Sequence, residues 1–280
     1  MTATRPILRY HGGKWRLAPW IISHFPEHKV YTESFGGGGS VLLKKSRSYA
    51  EVYNDLDGEV VNLFRVMRDN GDDLRAKLEL TPFSRDEFSL SYEPSSSSIE
   101  QARRTVVRSF MGFGSSAISK QATGFRANSS RSYTTPAHDW ANYPEAAKAI
   151  IDRLRGVTIE NRDALAIIKQ HDAEFTLHYV DPPYPHSTRT NGASADVTQY
   201  RHEMTDEQHR DLADLLHSVK GMVVLSGYPC DLYDKDLYPG WQRISRKAFA
   251  DGARERTEVI WLNEACANGL NQHDLFRRIA

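Results

Sequence analysis

Phe175-Thr176-Leu177-His178-Tyr179-Val180-Asp181-Pro182-Pro183-Tyr184 is the stretch on which the reading of this chain turns. Its first half is an apolar run of strand-forming residues, and two prolines stop it. Proline lacks the backbone donor that a sheet ladder needs and pushes the residue before it toward extended geometry, so the run predicts a buried strand that ends abruptly at Asp181. A carboxylate, two fixed carbonyls and an aromatic ring are therefore expected at the carboxyl end of a strand. In open α/β sheets that is where ligands bind.

The grouping suits an amine that has to act as a nucleophile. An exocyclic amino group on a nucleobase is a poor one, because its lone pair is delocalised into the ring. The Asp181 carboxylate and the Pro182 carbonyl can accept both N–H groups and draw the nitrogen toward tetrahedral geometry. Tyr184 can then stack on the base, a contact worth ~1 to 3 kcal/mol. The same residues also read as a Pro-Pro turn after any strand, with Asp181 as a cap.

Upstream, Val30-Tyr31-Thr32-Glu33-Ser34-Phe35 reads as a strand, Gly36-Gly37-Gly38-Gly39-Ser40 as a turn and Val41 to Ser46 as a helix. That order lets a cofactor approach the backbone closely. Neither GxGxxG nor a GK[ST] ending is present, so phosphate binding is not favoured. The next strand, Ala50 to Tyr53, ends in Asn54-Asp55, and an acid roughly 20 residues past a glycine turn is placed to accept hydrogen bonds from ribose hydroxyls. Asp55 equally suits the N-cap of a helix over Asp57 to Met67. Before all of these, Arg9-Tyr10-His11-Gly12-Gly13-Lys14 puts a Gly-Gly turn and a lysine ahead of a helical stretch, Leu17 to Phe25. The amides of such a turn, with Lys14, can hold a carboxylate or a phosphate.

From Arg68 to about Tyr143 strand alternation gives way to helices and loops. Between Gln101 and Arg131 the charged residues are Arg103, Arg104, Arg108, Lys120, Arg126 and Arg131, with no acid among them, although the whole chain balances 36 bases against 36 acids. Phe110, Phe113 and Phe125 are interleaved with them. A basic, aromatic, acid-free block is the footprint of a nucleic-acid surface; a helix with a solvated basic face is the plainer reading. The α/β rhythm resumes at Val157 to Glu160, and Asp163 follows, where it suits either a cofactor's adenine or the N-cap of the helix Ala164 to Gln170. Met222 to Ser226 predicts another buried strand, and Arg256 to Asn263 a late, antiparallel one. His202, His209 and His217 share no metal-like face and read as surface residues.

With 280 residues, 40% of them apolar, the chain has ample length for one large domain with an insertion. No apolar run is long enough to cross a bilayer and the N-terminus lacks a signal-peptide core, so an intracellular, cytoplasmic protein is expected. Cys230 and Cys266 are too few for a disulfide framework and lack zinc spacing.

The order HGGK, ESFGGGGS, ND, basic insert, NRD, DPPY and SGY resembles the Dam-like, alpha-class DNA N6-adenine methyltransferases, from about Arg9 to about Asn263. DPPY alone also occurs in enzymes that methylate cytosine N4, RNA or glutamine side chains; its conjunction with HGGK and a motif of the form [ED]xFxGxGS is far more specific. The resemblance implies a Rossmann-like S-adenosylmethionine-dependent methyltransferase sheet, residues 1–67 and 144–280, with an inserted, mostly helical target-recognition domain at 68–143. It implies S-adenosyl-L-methionine as cofactor, an extrahelical adenine of double-stranded DNA as substrate, no metal and no membrane partner; a monomer is favoured. Tyr10 and Lys14 match the N-terminal cofactor motif. Glu33, Phe35, Gly36 and Gly38 match the glycine motif around the methionine moiety, Asp55 the ribose acid and Asp163 the adenine-ring position. Asp181, Pro182, Pro183 and Tyr184 match the catalytic tetrapeptide. Arg103, Arg104, Arg108, Ser119, Lys120, Arg126 and Arg131 fall where the family carries its DNA-reading insert.

Overall fold

The computed structural model describes residues 3–114, 123–129, 134–185, 188, 201–249 and 255–279. Strand β4, Thr176–Val180, is buried at all five positions, as its unbroken apolar run demands. It pairs in parallel on one side with β1, Val30–Glu33, with Glu33 opposite Tyr179, and on the other with β5, Met222–Gly227, with Val180 opposite Leu225. Outside β1 lie β2, Ala50–Asn54, and then β3, Val157–Glu160, both parallel. Beyond β5 the sheet continues with β7, Glu255–Leu262, and β6, Gln242–Phe249, each running antiparallel to its neighbour.

Among the described residues the sheet therefore has seven strands in the order β3-β2-β1-β4-β5-β7-β6. The chain winds outward from β1 to β3, then returns to the middle for β4. The connections after β1 and after β4 consequently leave in opposite directions and open a crevice at the strands' carboxyl ends. This is the open, Rossmann-like α/β sheet expected from the sequence, extended at one edge by an antiparallel pair.

Local chemistry fixes the helices that flank this crevice. Helix α1 is the short segment Ala18–Ile22, and α2, Ser40–Lys44, starts directly from the glycine turn. Helix α3, Gly58–Asp69, is capped by Asp57, which accepts from the Glu59 amide, and buries Val60, Val61, Leu63, Phe64, Val66 and Met67. Asp55 is thus not that cap; it stands one step behind and accepts the Asp57 amide at 2.7 Å.

Residues 68–143 form α4 (Gly71–Glu79), α5 (Arg85–Leu90), α6 (Ser98–Met111) and α7 (Pro136–Ala141), and lead into α8 (Tyr143–Leu154). Their inward residues, among them Leu74, Leu78, Phe88, Val106, Phe110 and Trp140, join one continuous core with Val41, Phe64 and Tyr53. The helical stretch is thus built onto the helices over one face of the sheet and does not close a core of its own. Beneath it, Glu51 of β2 is buried and takes Lys45 at 2.7 Å and both arms of Arg153 at 2.6 and 2.8 Å, tying β2 to α2 and α8.

The opposite face is covered by α9, Ala164–His171, α10, Asp206–Ser218, and the packing around Leu212, Leu216, Val223, Tyr233 and Trp261. The chain ends in α11, Glu264–Ile279. Thr205 and Gln208 form a capping box at the start of α10. His209, expected on the surface, is fully buried and bonds the Tyr233 hydroxyl at 3.0 Å. It shares the inward face with Leu212, Ala213 and Leu216 at helical spacing, and its imidazole can bury because that hydroxyl meets it.

Candidate active site

Asp181, Pro182, Pro183 and Tyr184 leave the carboxyl end of β4 and meet Lys14 from the N-terminal turn. The Asp181 carboxylate is fully engaged. Oδ2 accepts from Lys14 Nζ at 3.0 Å; Oδ1 accepts from Ser226 Oγ at 2.7 Å and from the Tyr184 hydroxyl at 3.3 Å. Lys14, 5% exposed, also donates to the Gly12 carbonyl at 2.8 Å and to the Tyr184 hydroxyl. The Tyr184 ring is buried and meets Tyr228 edge-on, 4.5 Å between centroids, while Arg256 donates to the Tyr228 hydroxyl at 3.1 Å. Lys14, which matches the cofactor motif, thus also holds the tetrapeptide's carboxylate.

Between β1 and β4 the crevice holds a cavity of about 260 Å³. Tyr10, Lys14, Glu33, Phe35, Gly36, Gly38, Asp55, Asp163, Asp181, Pro182 and Pro183 all line it, so the structure brings residues from five separate parts of the sequence to one space. Gly36, Gly37 and Gly38 of the turn that runs on to Gly39 form its floor. Gly37 (φ 47°) and Gly39 (φ 58°) are the two positions there that need glycine by conformation, one residue on in each case from the two singled out in the sequence. The Gly37 amide donates to Asp55 Oδ2 at 2.7 Å, so the acid after β2 fixes the turn from the neighbouring strand. Burial raises the Asp55 carboxyl above its ordinary range. Asp163 caps α9 through the Ala166 amide at 3.0 Å and borders the cavity as well, so the cap does not take it away from that space.

Glu33, the last residue of β1, is 2% exposed. A single oxygen, Oε2, accepts from the Tyr31 hydroxyl at 2.7 Å and from the Leu42 amide at 2.8 Å. Burial pushes its carboxyl from 4.5 up to about 8, against the pull of those two bonds. The folded chain thus keeps a proton that the unfolded chain sheds at about pH 4.5, and stability falls as pH rises from there to about 8, then levels off. Glu33→Gln keeps an acceptor for both donors and removes the charge. Without added cofactor, its melting temperature is expected to match the parent's below pH 4.5 and to pull ahead through pH 8, by ~2 to 4 °C for each kcal/mol recovered. A constant difference from pH 4 to 9, read by scanning calorimetry, would contradict that assignment.

One segment of this space was not placed there by the sequence. Arg201 to Met204 line the cavity's far side, where Arg201 reaches Asp57 at 3.4 Å and Glu59 at 2.7 Å. Behind the cavity rather than in its lining, Ser226, named in the sequence only within SGY, bonds Asp181, and the strand-end rule that picked out Asp181 finds it when applied to β5.

The basic block divides. Arg103 and Arg108 are buried, and Arg104 is largely so. Arg103 bonds Glu100 at 2.8 and 2.9 Å, Glu87 at 2.6 Å and Thr81 at 3.1 Å; Arg104 takes Glu100 at 2.9 Å and the Glu93 carbonyl at 2.8 Å; Arg108 pairs with Glu59. The Arg103 and Arg104 guanidiniums hold the Glu100 carboxyl down at about 2. These three arginines are corrected from an expected DNA surface to internal ion pairs: their partners lie outside the acid-free window but beside it in space. Arg126 is half-buried, and its contacts to the end of α6 are to backbone carbonyls rather than to acids. It follows an antiparallel bridge between Gly112 and Phe125, its amide donates to the Met111 carbonyl at 2.8 Å, and its guanidinium reaches the Phe110 carbonyl at 3.1 Å. Ser119, Lys120 and Arg131 lie outside the described residues.

Among the described residues no group of three or more His, Cys, Asp or Glu is arranged to hold a metal ion, and no helix is long and apolar enough to cross a membrane. Compared with known proteins, residues 10–251 match the model of a family described as D12 class N6 adenine-specific DNA methyltransferase. The chain is 26% identical over 257 residues to the Type II methyltransferase M1.LlaDCHI of Lactococcus lactis subsp. cremoris, spanning 84% of both chains. It is 26% identical over 278 residues to a DNA adenine methylase of Haemophilus influenzae, spanning 91% of both. A DNA adenine methylase of Serratia marcescens is 30% identical over 111 residues, 38% of this chain and 41% of that one.

Proposed function

The chain belongs to the D12 class N6 adenine-specific DNA methyltransferase family and is an adenine-specific DNA methyltransferase, and on that premise we propose how its residues divide the work. The cofactor is S-adenosyl-L-methionine, which supplies an electrophilic methyl group; the substrate is an adenine turned out of duplex DNA, an extrusion costing a few kcal/mol that pocket contacts must offset.

The juxtaposition that carries the reading is that of Asp181, Pro182 and Pro183 with the glycine turn across one crevice, between β4 and β1, with Tyr184 buried directly behind Asp181. Asp181 and the Pro182 carbonyl accept the two N6–H groups, and Tyr184 stacks on the base. Lys14 yields Asp181 Oδ2 to the incoming amino group and keeps the Gly12 carbonyl. The cavity's residues suit the cofactor in kind. A turn with little side chain over Gly36 to Gly38, beside Tyr10 and Phe35, leaves backbone open to close approach; Glu33 and Lys14 face the methionine end, Asp55 the ribose hydroxyls and Asp163 the adenine ring. Transfer is direct, so rate comes from orientation and electrostatic placement rather than from a strong base. Duplex contact falls to Arg126 and to Ser119, Lys120 and Arg131, not to the paired arginines of α6. The catalytic part spans residues 1–67 and 144–280, and 68–143 serve target recognition.

Incubation with methyl-labelled S-adenosylmethionine and unmethylated plasmid, followed by digestion to nucleosides, is expected to place the label in N6-methyladenine alone. Label in N4-methylcytosine, or in RNA but not DNA, would overturn the reading.

A further inference from the structure

We propose that Ser226 is a positioning residue for Asp181, fixing which carboxylate oxygen meets the target amino group, and that Tyr179 acts through it. The inference rests on the role given to Asp181 above. Ser226 is the fifth residue of β5, 1% exposed, and the parallel register that sets Leu225 beside Val180 brings it alongside Asp181. Its Oγ lies 2.7 Å from Asp181 Oδ1 and 3.0 Å from the hydroxyl of Tyr179, which is 1% exposed. Tyr179 precedes Asp181 by two residues, so the strand's alternation turns both side chains to the same face.

Proton accounting orders this chain. An ionised carboxylate only accepts, so Ser226 spends its one hydrogen on Asp181, and the Tyr179 hydroxyl must donate to Ser226. Burial, together with the nearby Asp181 charge, drives the Tyr179 phenol well above its ordinary range, which keeps it a donor wherever the enzyme works. The partners of Asp181 then fall into two groups. Lys14 and Tyr184 occupy the side from which a base arrives, and both must rearrange for it. Ser226 and Tyr179 sit in adjacent buried strands and have no reason to move. The pair therefore holds Oδ1 and leaves Oδ2 for the amino group, through a charge-assisted bond that is stronger than a neutral one.

The test compares Ser226→Ala, Tyr179→Phe and the double variant with Asp181→Ala, in the full chain, by single-turnover methylation of duplex DNA. Affinities for S-adenosylhomocysteine and for the duplex, and melting temperatures, are measured alongside. Ser226→Ala is expected to lower the rate ~10- to 100-fold with both affinities within about twofold. Tyr179→Phe should lower it roughly 2- to 5-fold, and the double variant should be no slower than Ser226→Ala, because a residue that acts through another has nothing further to lose. Losses that multiply in the double variant would separate Tyr179 from Ser226 and overturn the chain. A Ser226→Ala rate within twofold of the parent, with Asp181→Ala inactive, would sink this inference alone. A rate loss matched by weakened affinities or a lowered melting temperature would make Ser226 structural. An active Asp181→Ala would instead overturn the reading on which the inference stands.

Discussion

Asp181→Ala is expected to reduce the single-turnover methylation rate by roughly 10³-fold or more while S-adenosylhomocysteine still binds within a few-fold of the parent. The two halves of that expectation come from where the carboxylate sits. It follows the last residue of β4, its contacts are to Lys14, Ser226 and Tyr184, and none of them is to the glycine turn, to Asp55 or to Asp163. Removing it therefore takes away the only charged acceptor offered to the amine and leaves the floor of the cavity as it was. Lys14 loses the carboxylate but keeps the Gly12 carbonyl and the Tyr184 hydroxyl, so its charge is not left bare. Asp181→Asn sharpens the point, because it preserves shape and puts an N–H where an acceptor is needed; it too should be nearly inactive. A rate within tenfold of the parent would mean the carboxylate is not what activates the amine. Loss of cofactor-product binding together with activity would mean that Asp181 organises the crevice.

Much of this site is legible in the sequence because its parts announce themselves locally. A buried run halted by two prolines can end only one way, and an acid and four glycines after a strand leave few alternatives to a tight turn. Asp55 and Asp163 each carried two readings, and the structure treats them differently: Asp163 does cap its helix while bordering the cavity, whereas the cap expected of Asp55 belongs to Asp57, and Asp55 instead holds the Asp57 and Gly37 amides. What the sequence concealed is whatever depends on distant neighbours. The α6 arginines are opposed in space by the distant Glu59 and Glu87, while Glu100, one residue outside the acid-free window and one helical turn from Arg103 and Arg104, was a local partner that the choice of window left out. His209 looked like a surface residue because nothing near it in sequence reveals Tyr233. Ser226 is an ordinary serine until parallel pairing of β4 and β5 sets it against Asp181. The position of Gly36 is of the same kind, since its reason for being glycine lies on another strand.

Gly36→Ala is expected to weaken S-adenosylhomocysteine binding ~10- to 100-fold, the equivalent of about 1 to 3 kcal/mol of misfit delivered to the turn. A Cβ at this position would stand 2.2 Å from Cε2 and 2.6 Å from Cζ of Tyr53, closer than atoms can approach. Whether such a clash matters depends on which side can give. Tyr53 cannot: it is fully buried on β2, stacked on Phe64 at 3.9 Å and 13°, and its hydroxyl donates to the Gly37 carbonyl at 2.7 Å. The turn has to move instead, and it is pinned by the Gly36 amide on the Asn54 carbonyl at 2.8 Å, the Gly39 amide on the Gly36 carbonyl at 2.8 Å, and the Gly37 amide on Asp55. Any shift that relieves the ring therefore breaks the bonds that shape the cavity floor. Gly38→Ala is the internal control. Its Cβ would meet Tyr10 Cβ at 3.3 Å and the Leu8 carbonyl oxygen at 4.0 Å, contacts that a small adjustment of Tyr10 accommodates, so its affinity should stay within a few-fold of the parent. Calorimetric titration of both variants decides the matter. Equal losses would mean the turn tolerates no side chain anywhere, and an unaffected Gly36→Ala would mean that the ring stack beneath it yields after all.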